Sequence, residues 1–389
     1  MKINSQEKVV KELLKILSEL NLERKKGIHE PYFDTKESSY VKKSVNSTYV
    51  STVGGFIKKF EDEIKNFTNS KYAVATVNGT SALHISMMTL GIGPNHEVLI
   101  PNLNYIGSSN ATIYCGASPH FIDVDSKYLG IDTIKLRDYL KKNTFTKKKQ
   151  TFNKNTLKKI VAIAPTHIFG QPSKMKEIMD ISKEFNFKVV EDAAESLGSF
   201  YKHKHTGTIG DVGILSFNGN KIITTGGGGM ILTNNFKIYH QAKMLSQVSK
   251  ISHPWKYDYQ GLGFNYRMPN LNAALGCAQI KKLKNFLKAK KKLYSKYESK
   301  FKNHNEFYLL KELPDTKCNN WLITVILKKK NKNLLNKILK TTNKKGFNTR
   351  PVWQLLSRVP HLKKYPKMDL SNSMNLSETI VCLPSSVKL

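Results

Sequence analysis

From about Phe56 the spacing of apolar positions switches back and forth between two periods. FIKKFEDEIKNF puts Phe56, Phe60, Ile64 and Phe67 on one helical face, KYAVAT is an apolar run of strand length, TSALHISMMTL is again helical and EVLI again a strand. HFIDVD, KIVAIAP, FKVVED and GILSF continue the series. Alternation of this kind predicts an α/β fold, a mostly parallel sheet covered by helices on both faces. Ahead of it, MKINSQEKVVKELLKILSEL reads as a helix: Asn4 and Glu7 have capping-box spacing, and Val9, Val10, Leu13, Leu14, Leu17 and Leu20 repeat with helical period. Such a helix is expected to pack on the domain or on a partner subunit.

Two stretches break the alternation. KKNTFTKKKQTFNKNTLKK, between Lys141 and Lys159, is rich in lysine, threonine and asparagine and is expected to be an exposed loop. After GLGFNYRMPNLNAALG, one long lysine-studded helix is expected from about Leu271 to Lys300, bridging to a smaller α+β unit with EFYLL, WLITVIL and a helix near Leu334. The expected division is residues 1–45 as N-terminal helix and extension, 46–285 as the large α/β domain and 286–389 as the small C-terminal domain.

Charge and composition narrow the classes. The 63 basic against 29 acidic residues leave a net charge of +34, yet of the basic ones only Arg24, Arg137, Arg267, Arg350 and Arg358 are arginine. A surface built to read nucleic acid draws on arginine's planar fork, so this lysine excess points to composition bias, solubility and steering of anionic small molecules. No nucleic-acid partner is expected. No run of about 18 apolar residues occurs, and the first segment lacks the apolar core of a signal peptide, so no membrane partner is expected either. Cys115, Cys277, Cys318 and Cys382 lie far apart in apolar contexts and read as buried thiols of a cytoplasmic protein.

In open α/β sheets ligands bind beyond the carboxyl ends of the strands. Four such places carry polar residues. KYAVATVNGTSAL ends a strand at Asn78-Gly79-Thr80 and opens a helix at Ser81, turning backbone N–H groups toward an anion such as phosphate. FKVVEDAAESLGS delivers Glu191 and Asp192 at the edge of a core, where a carboxylate needs a cation or several donors. SFNGNKIITTGGGG places Lys221 behind a strand, where partial desolvation frees its amine for Schiff-base chemistry. The four glycines after it allow close backbone approach, but Met230 follows them where a P-loop needs Lys-Ser or Lys-Thr. The fourth place is GLGFNYRMPNLNAALG, with Asn265, Tyr266 and Arg267 before a helix.

In this order the four segments resemble the DegT/DnrJ family of pyridoxal-phosphate sugar aminotransferases, from about His29 to Pro384. The resemblance implies fold type I of the PLP-dependent transferases, like aspartate aminotransferase, with pyridoxal 5'-phosphate as cofactor and no metal. It implies Lys221 as the lysine that carries the cofactor, Asp192 as the partner of its ring nitrogen, and Gly79, Thr80 and Ser216 as its phosphate site. It further implies Asn265 as a phosphate contact reaching in from the neighbouring subunit of a homodimer, and Tyr105, in PNLNYIGSSNA, as a ring stacked on the cofactor. Arg350 and Trp353, in FNTRPVWQLL, are the implied substrate contacts.

The chain departs from the family pattern twice. Glu195 stands where glutamine or histidine is usual, and Gly226–Gly229 lack the usual glutamate. Both variants, with NSTYVSTVGGFIKKFE and FNTRPVWQLL, are similar to the branch acting on 4-keto-6-deoxy-N-acetylhexosamine nucleotides in legionaminic-acid-type pathways. The implied activity is amino transfer, from L-glutamate, to a nucleotide-linked keto-sugar. Dehydratases and deoxygenases of the family typically carry histidine at the position of Lys221, and a nucleic-acid-binding regulator would need a recognition helix or basic aromatic stripe that is not found.

Overall fold

Each apolar run expected as a strand forms one, in a computed structural model that describes residues 2–389 and, from Gln6 onward, their side chains. The chain opens with helices α1 (Lys2–Glu19), α2 (Thr35–Asn46) and α3 (Gly55–Thr68). Then follow β1 (Tyr72–Thr76), α4 (Gly79–Thr89), β2 (His96–Pro101), α5 (Gly107–Tyr114), β3 (Ser118–Ile122) and α6 (Thr133–Asn143). A hairpin of β4 (Thr144–Lys147) and β5 (Gln150–Asn153) leads into β6 (Lys159–Ile163), α7 (Met175–Glu184) and β7 (Lys188–Asp192). Short β8 (Phe200–Tyr201) and β9 (Lys204–His205) precede β10 (Val212–Ser216), β11 (Gly229–Thr233) and α8 (Phe236–Ser246). A ribbon of β12 (Lys250–Ile251) and β13 (Asp258–Tyr259) comes before α9 (Asn270–Ile280) and α10 (Leu283–Phe301). The C-terminal part holds β14 (Phe307–Leu309), β15 (Thr316–Lys317), β16 (Thr324–Leu327), α11 (Lys332–Lys344), β17 (Arg350–Pro351), α12 (Ser371–Leu376) and β18 (Ile380–Cys382).

The main sheet has nine strands, in the order β1-β11-β10-β7-β6-β2-β3 with the β4–β5 hairpin attached to β6. From β10 to β3 all neighbours along this path are parallel, and β11 runs antiparallel between β1 and β10. Burial on both faces explains the unbroken apolar runs: Val189, Val190, Ile214 and Leu215 are fully covered. Strand β11 is built from the end of the glycine run, and its Gly229 has no room for a side chain, since a Cβ there would lie 2.4 Å from the Asn78 carbonyl oxygen. A second, four-stranded antiparallel sheet, β14-β16-β18-β17, lies in the C-terminal part. Helix α1 joins the core of that part, where Leu13 and Leu17 are buried with Tyr297, Ile338 and Phe347.

Several expectations are corrected. The segment 141–159 is no loop: Phe145 stacks on Phe152 across the hairpin at 5.5 Å, Thr151 Oγ1 donates to the Phe185 carbonyl, and Asn153 Nδ2 donates to buried Glu97. Its polar residues satisfy partners from elsewhere in the fold, which composition does not reveal. The helix expected over Leu271–Lys300 is two helices, pinned at their joint by Lys282, whose Nζ lies 2.8 Å from Asp34 and 2.7 Å from Glu37. Those carboxylates belong to the start of α2, a helix the pattern did not announce although Asp34 and Glu37 form a complete capping box. Helix α1 already runs from Lys2, so Asn4 lies within it and not at the cap expected for it; its side chain is outside the described ones. Cys277 and Cys382 are buried as expected, whereas Cys115 and Cys318 are only half-buried; all four thiols are free.

Candidate active site

Strand β10 ends at Ser216, and the turn that follows carries Lys221 into a cavity at the carboxyl ends of the parallel strands. Phe217 N–H donates to the Gly228 carbonyl, Thr225 N–H to Phe217 and Lys221 N–H to Asn218, so both ends of the turn are held. Trp321, from the C-terminal part, donates its indole N–H to the Asn220 carbonyl at 2.6 Å. The Lys221 ammonium lies 3.9 Å from the centre of the Trp321 ring and 3.7 Å from Glu195 Oε1. Burial pulls its proton affinity down, and the negative charges of Glu195 and Asp192 partly restore it. The sequence pattern anticipated this desolvated lysine.

The two carboxylates at the end of β7 play different parts. Glu191 points into the fold and accepts hydrogen bonds from the N–H groups of Gly207, Ile209 and Gly210 and from His167 Nε2. His167 Nδ1 accepts the Ser173 N–H, which places the ring proton on Nε2. Burial acts to raise the Glu191 carboxyl, but the His167 contact and these N–H donors outweigh it and hold the group below the usual carboxylate range. Asp192 faces the cavity: its Oδ2 accepts from Ser108 Oγ at 2.6 Å and its Oδ1 from the Ala194 N–H at 3.3 Å. Among the described residues neither carboxylate forms an ion pair with a lysine or arginine, although Asp192 lies close enough to Lys221 for the two charges to be felt.

The third part is a cradle. Asn78 caps α4 by accepting the Ser81 N–H at 2.8 Å, leaving the first turn of that helix open to the cavity. Gly79 sits against β10, where a Cβ would come 3.1 Å from Ser216 Cβ, so backbone rather than side chain lines the wall there. The first residue of α5, Gly107, faces Thr80, whose Oγ1 is 3.5 Å from where a Gly107 Cβ would stand. Two helix N-termini thus converge where Gly79, Thr80 and Ser216 meet, which suits an anion. The cavity these groups enclose has a volume of about 310 Å³.

Tyr105 stands at its rim, 55% exposed, edge-on to Trp353 at 6.2 Å, and Trp353 in turn stacks on Phe169 at 5.4 Å. Glu195 lies in the wall beside Lys221. Arg350 is not brought here: it is exposed on β17 and turns its guanidinium to Asn343 Oδ1 at 3.2 Å. Asn265 is exposed as well, bridged through its backbone to Gln247, and is no part of its own chain's cavity wall. The pattern missed Ser108, Trp321 and Asn104, which donates to Thr166 Oγ1 in the wall. Ser108 stood in plain view within PNLNYIGSSNA, but only the fold aims it at Asp192; Trp321 is hidden in a run that reads as strand.

Pyridoxal 5'-phosphate fits these residues. The Gly79–Ser216 cradle, which a Cβ would fill, offers N–H and hydroxyl donors to a phosphate. Asp192 is a buried carboxylate short of a cation, which a protonated ring nitrogen supplies, and Lys221 presents a desolvated amine between them.

Comparison with known proteins agrees with this reading. Residues 31–389 match the DegT/DnrJ/EryC1/StrS aminotransferase family. The chain is 34% identical to GDP-perosamine synthase of Caulobacter vibrioides over 335 residues, 86% of each chain. It is 31% identical to UDP-4-amino-4,6-dideoxy-N-acetyl-beta-L-altrosamine transaminase of Campylobacter jejuni over 279 residues, 72% of this chain and 70% of that one. In structure it superposes on a putative sugar aminotransferase of Streptococcus pneumoniae, solved in its PLP form, with a TM-score of 0.83 at 21% identity over 93% of both chains. The fold is therefore fold type I of the PLP-dependent transferases.

Proposed function

The chain belongs to the DegT/DnrJ/EryC1/StrS aminotransferase family, uses pyridoxal 5'-phosphate, and from that premise we propose that it transfers an amino group to the keto carbon of a nucleotide-linked sugar. The acceptor is a 4-keto-6-deoxy-N-acetylhexosamine nucleotide aminated at carbon 4, the donor is L-glutamate, and the product feeds surface polysaccharide or nonulosonic acid synthesis. One observation carries the reading: a buried lysine amine, a buried carboxylate and an anion cradle face one cavity in a chain similar to named nucleotide-sugar enzymes. Bound at this site, the cofactor supplies a reactive carbonyl and an electron-withdrawing ring.

The chain's own residues supply the rest. Lys221 is the point of covalent attachment and, once its amine is free, the base that moves a proton at the substrate carbon. Asp192, oriented by Ser108, would hold a proton on the ring nitrogen. Gly79, Thr80 and Ser216 would bind the phosphate, Tyr105 would lie against the ring, Glu195 would contact the cofactor beside Lys221, and Trp353 at the mouth would meet the sugar. Lys221 also disfavours the dehydratase and deoxygenase reading, because it stands where histidine is typical of those enzymes.

The working unit is a homodimer, with Asn265 of a second copy completing the phosphate site. Its exposure outside its own cavity, next to a ribbon that bares Trp255, Tyr257, Tyr259 and Leu262, supports this. The reaction belongs in the cytoplasm: the four free cysteines suit it, and among the described residues no helix is long and apolar enough to cross a membrane.

The test is mass spectrometry of products after incubating enzyme, pyridoxal phosphate and glutamate with a panel of keto-sugar nucleotides. An amine in place of the ketone on one member supports the reading; an unchanged panel removes it. The similarity to GDP-perosamine synthase favours a second version, in which the nucleotide is guanosine diphosphate, so the panel carries both GDP- and UDP-linked sugars.

A further inference from the structure

We propose that Glu195 and Lys221 act as one proton-holding unit, Glu195 taking up a proton when Lys221 loses its positive charge and returning it when the ammonium re-forms. The inference rests on the assignment of Lys221 as the reacting lysine. It follows from how Glu195 is mounted. Its Oε2 accepts the Phe169 N–H at 2.7 Å, while Oε1 faces the Lys221 Nζ at 3.7 Å. Its backbone carbonyl accepts from Asn319 Nδ2 at 2.8 Å, and the same amide group holds the Leu197 carbonyl. Phe169 donates from a left-handed conformation, φ 56° and ψ 15°, that a bulky residue rarely adopts. One carboxylate oxygen is thus fixed and the other is left for the amine.

The neighbouring charges decide which group takes the proton. Lys221 is faced by Glu195, by Asp192 and, behind its turn, by His29. Burial together with the charges of Lys290 and Lys221 keeps His29 well below its ordinary range, so it stays neutral. Glu195 is faced by Lys221, by Asp192 and by the Cys382 thiol, which burial pushes up to about 12 and which is neutral as well. That leaves two buried carboxylates and one cation. When the cation goes, two negative charges cannot both persist in a medium of low polarity. Asp192 keeps a hydroxyl and an N–H donor, whereas Glu195 Oε1 loses the one partner it has, so Glu195 is the group that protonates. Its carboxyl already stands at about 7, raised chiefly by burial and further by Asp192, against the opposing charge of Lys221.

The step balances simply. One N–H bond of the ammonium breaks, one O–H bond forms at Oε1, no electrons change hands and the total charge of the site is unchanged. At 3.7 Å the pair is beyond direct hydrogen bonding, so the proton crosses when the flexible lysine swings in or over one bridging water. A glutamine at this position would keep the hydrogen bond to Phe169 but could not hold the proton.

The experiment uses cofactor-free full-length protein. The pH dependence of Lys221 acetylation, read by peptide mass spectrometry, is compared between wild type and Glu195→Gln. The carboxyl carbon resonance of Glu195 is titrated by NMR in wild type and Lys221→Met labelled at glutamate, and assigned by its absence in Glu195→Gln and, independently, in Glu195→Asp. Coupling must be reciprocal. The Lys221 inflection should fall by about one pH unit or more in Glu195→Gln, and that of Glu195 should rise by a similar amount in Lys221→Met. If either stays put, the unit does not exist; the Lys221→Met arm decides the matter even if Glu195→Gln fails to fold. Borohydride reduction of the reloaded wild type separates the two layers. Cofactor trapped on Lys221 without reciprocal shifts overturns only the proton unit, while cofactor trapped on another lysine overturns the assignment of Lys221 and the unit with it.

Discussion

Two adjacent carboxylates, Glu191 and Asp192, show how much one residue's direction decides. Asp192 enters the cavity with Ser108 and one N–H as donors, so its charge is available to a ring nitrogen; Asp192→Asn should retain bound cofactor yet lose about a thousandfold or more in turnover, the scale of a dominant electrostatic contribution. Activity within tenfold of the parent, measured with saturating cofactor, would return Asp192 to a purely structural role. Glu191 is the structural member. Replacing it with glutamine turns an N–H group toward donors it cannot accept from, and should destabilise the fold by about 3–5 kcal/mol. The sign of its pH dependence follows from its depressed value: the contribution is whole above the ordinary 4.5 and lost as the pH falls through the folded value. Denaturant unfolding of wild type and Glu191→Gln should therefore differ most near pH 7 and converge under acid.

At the scale of elements, the hairpin of β4 and β5 is illegible because its turn carries none of the residues that announce one and its polar side chains find their partners outside it. Lys148 and Lys149 form its turn with φ of 48° and 58°, a conformation that asparagine and glycine adopt far more readily. What holds it is the Phe145–Phe152 pair and the hydrogen bonds of Thr151 and Asn153 to residues outside the hairpin. Lys148→Asn with Lys149→Gly should accordingly stabilise the protein by about 0.5–1 kcal/mol per site. A rise of a few degrees or less in Tm is expected, with amino transfer unchanged, because the hairpin pairs with the start of β6, away from the cavity. A fall in Tm would show that the lysines make contacts the turn depends on. The split between α9 and α10 has the same origin: nothing in the lysine-rich pattern announces that Lys282 is the one held by Asp34 and Glu37.

For the whole molecule, the question is whether a site is built by one chain or two. Mixing Lys221→Ala with Asn265→Ala tests the proposed homodimer, since each variant alone should be weak or dead. If Asn265 serves the other subunit, one site of each heterodimer inherits both lesions and the other neither, and activity should recover to about half of wild type per heterodimer. If Asn265 serves its own chain, mixing restores nothing beyond the average of the parents.

By itself the sequence determined the alternation of strands and helices and the places where polar residues end buried strands: Gly79 and Thr80, Asp192, Ser216 and Lys221. Those are short-range properties, since burial imposes a period within one element and a strand end lies next to the run that precedes it. Only the tertiary structure decided that Ser108 meets Asp192 from 84 residues away, that Trp321 holds the Lys221 turn from 101 residues away, and that Glu195 faces the amine. It also decided that Arg350 turns aside to Asn343. Contacts of this kind arise where separate elements are packed together, and no pattern within any one of them records which surfaces will meet.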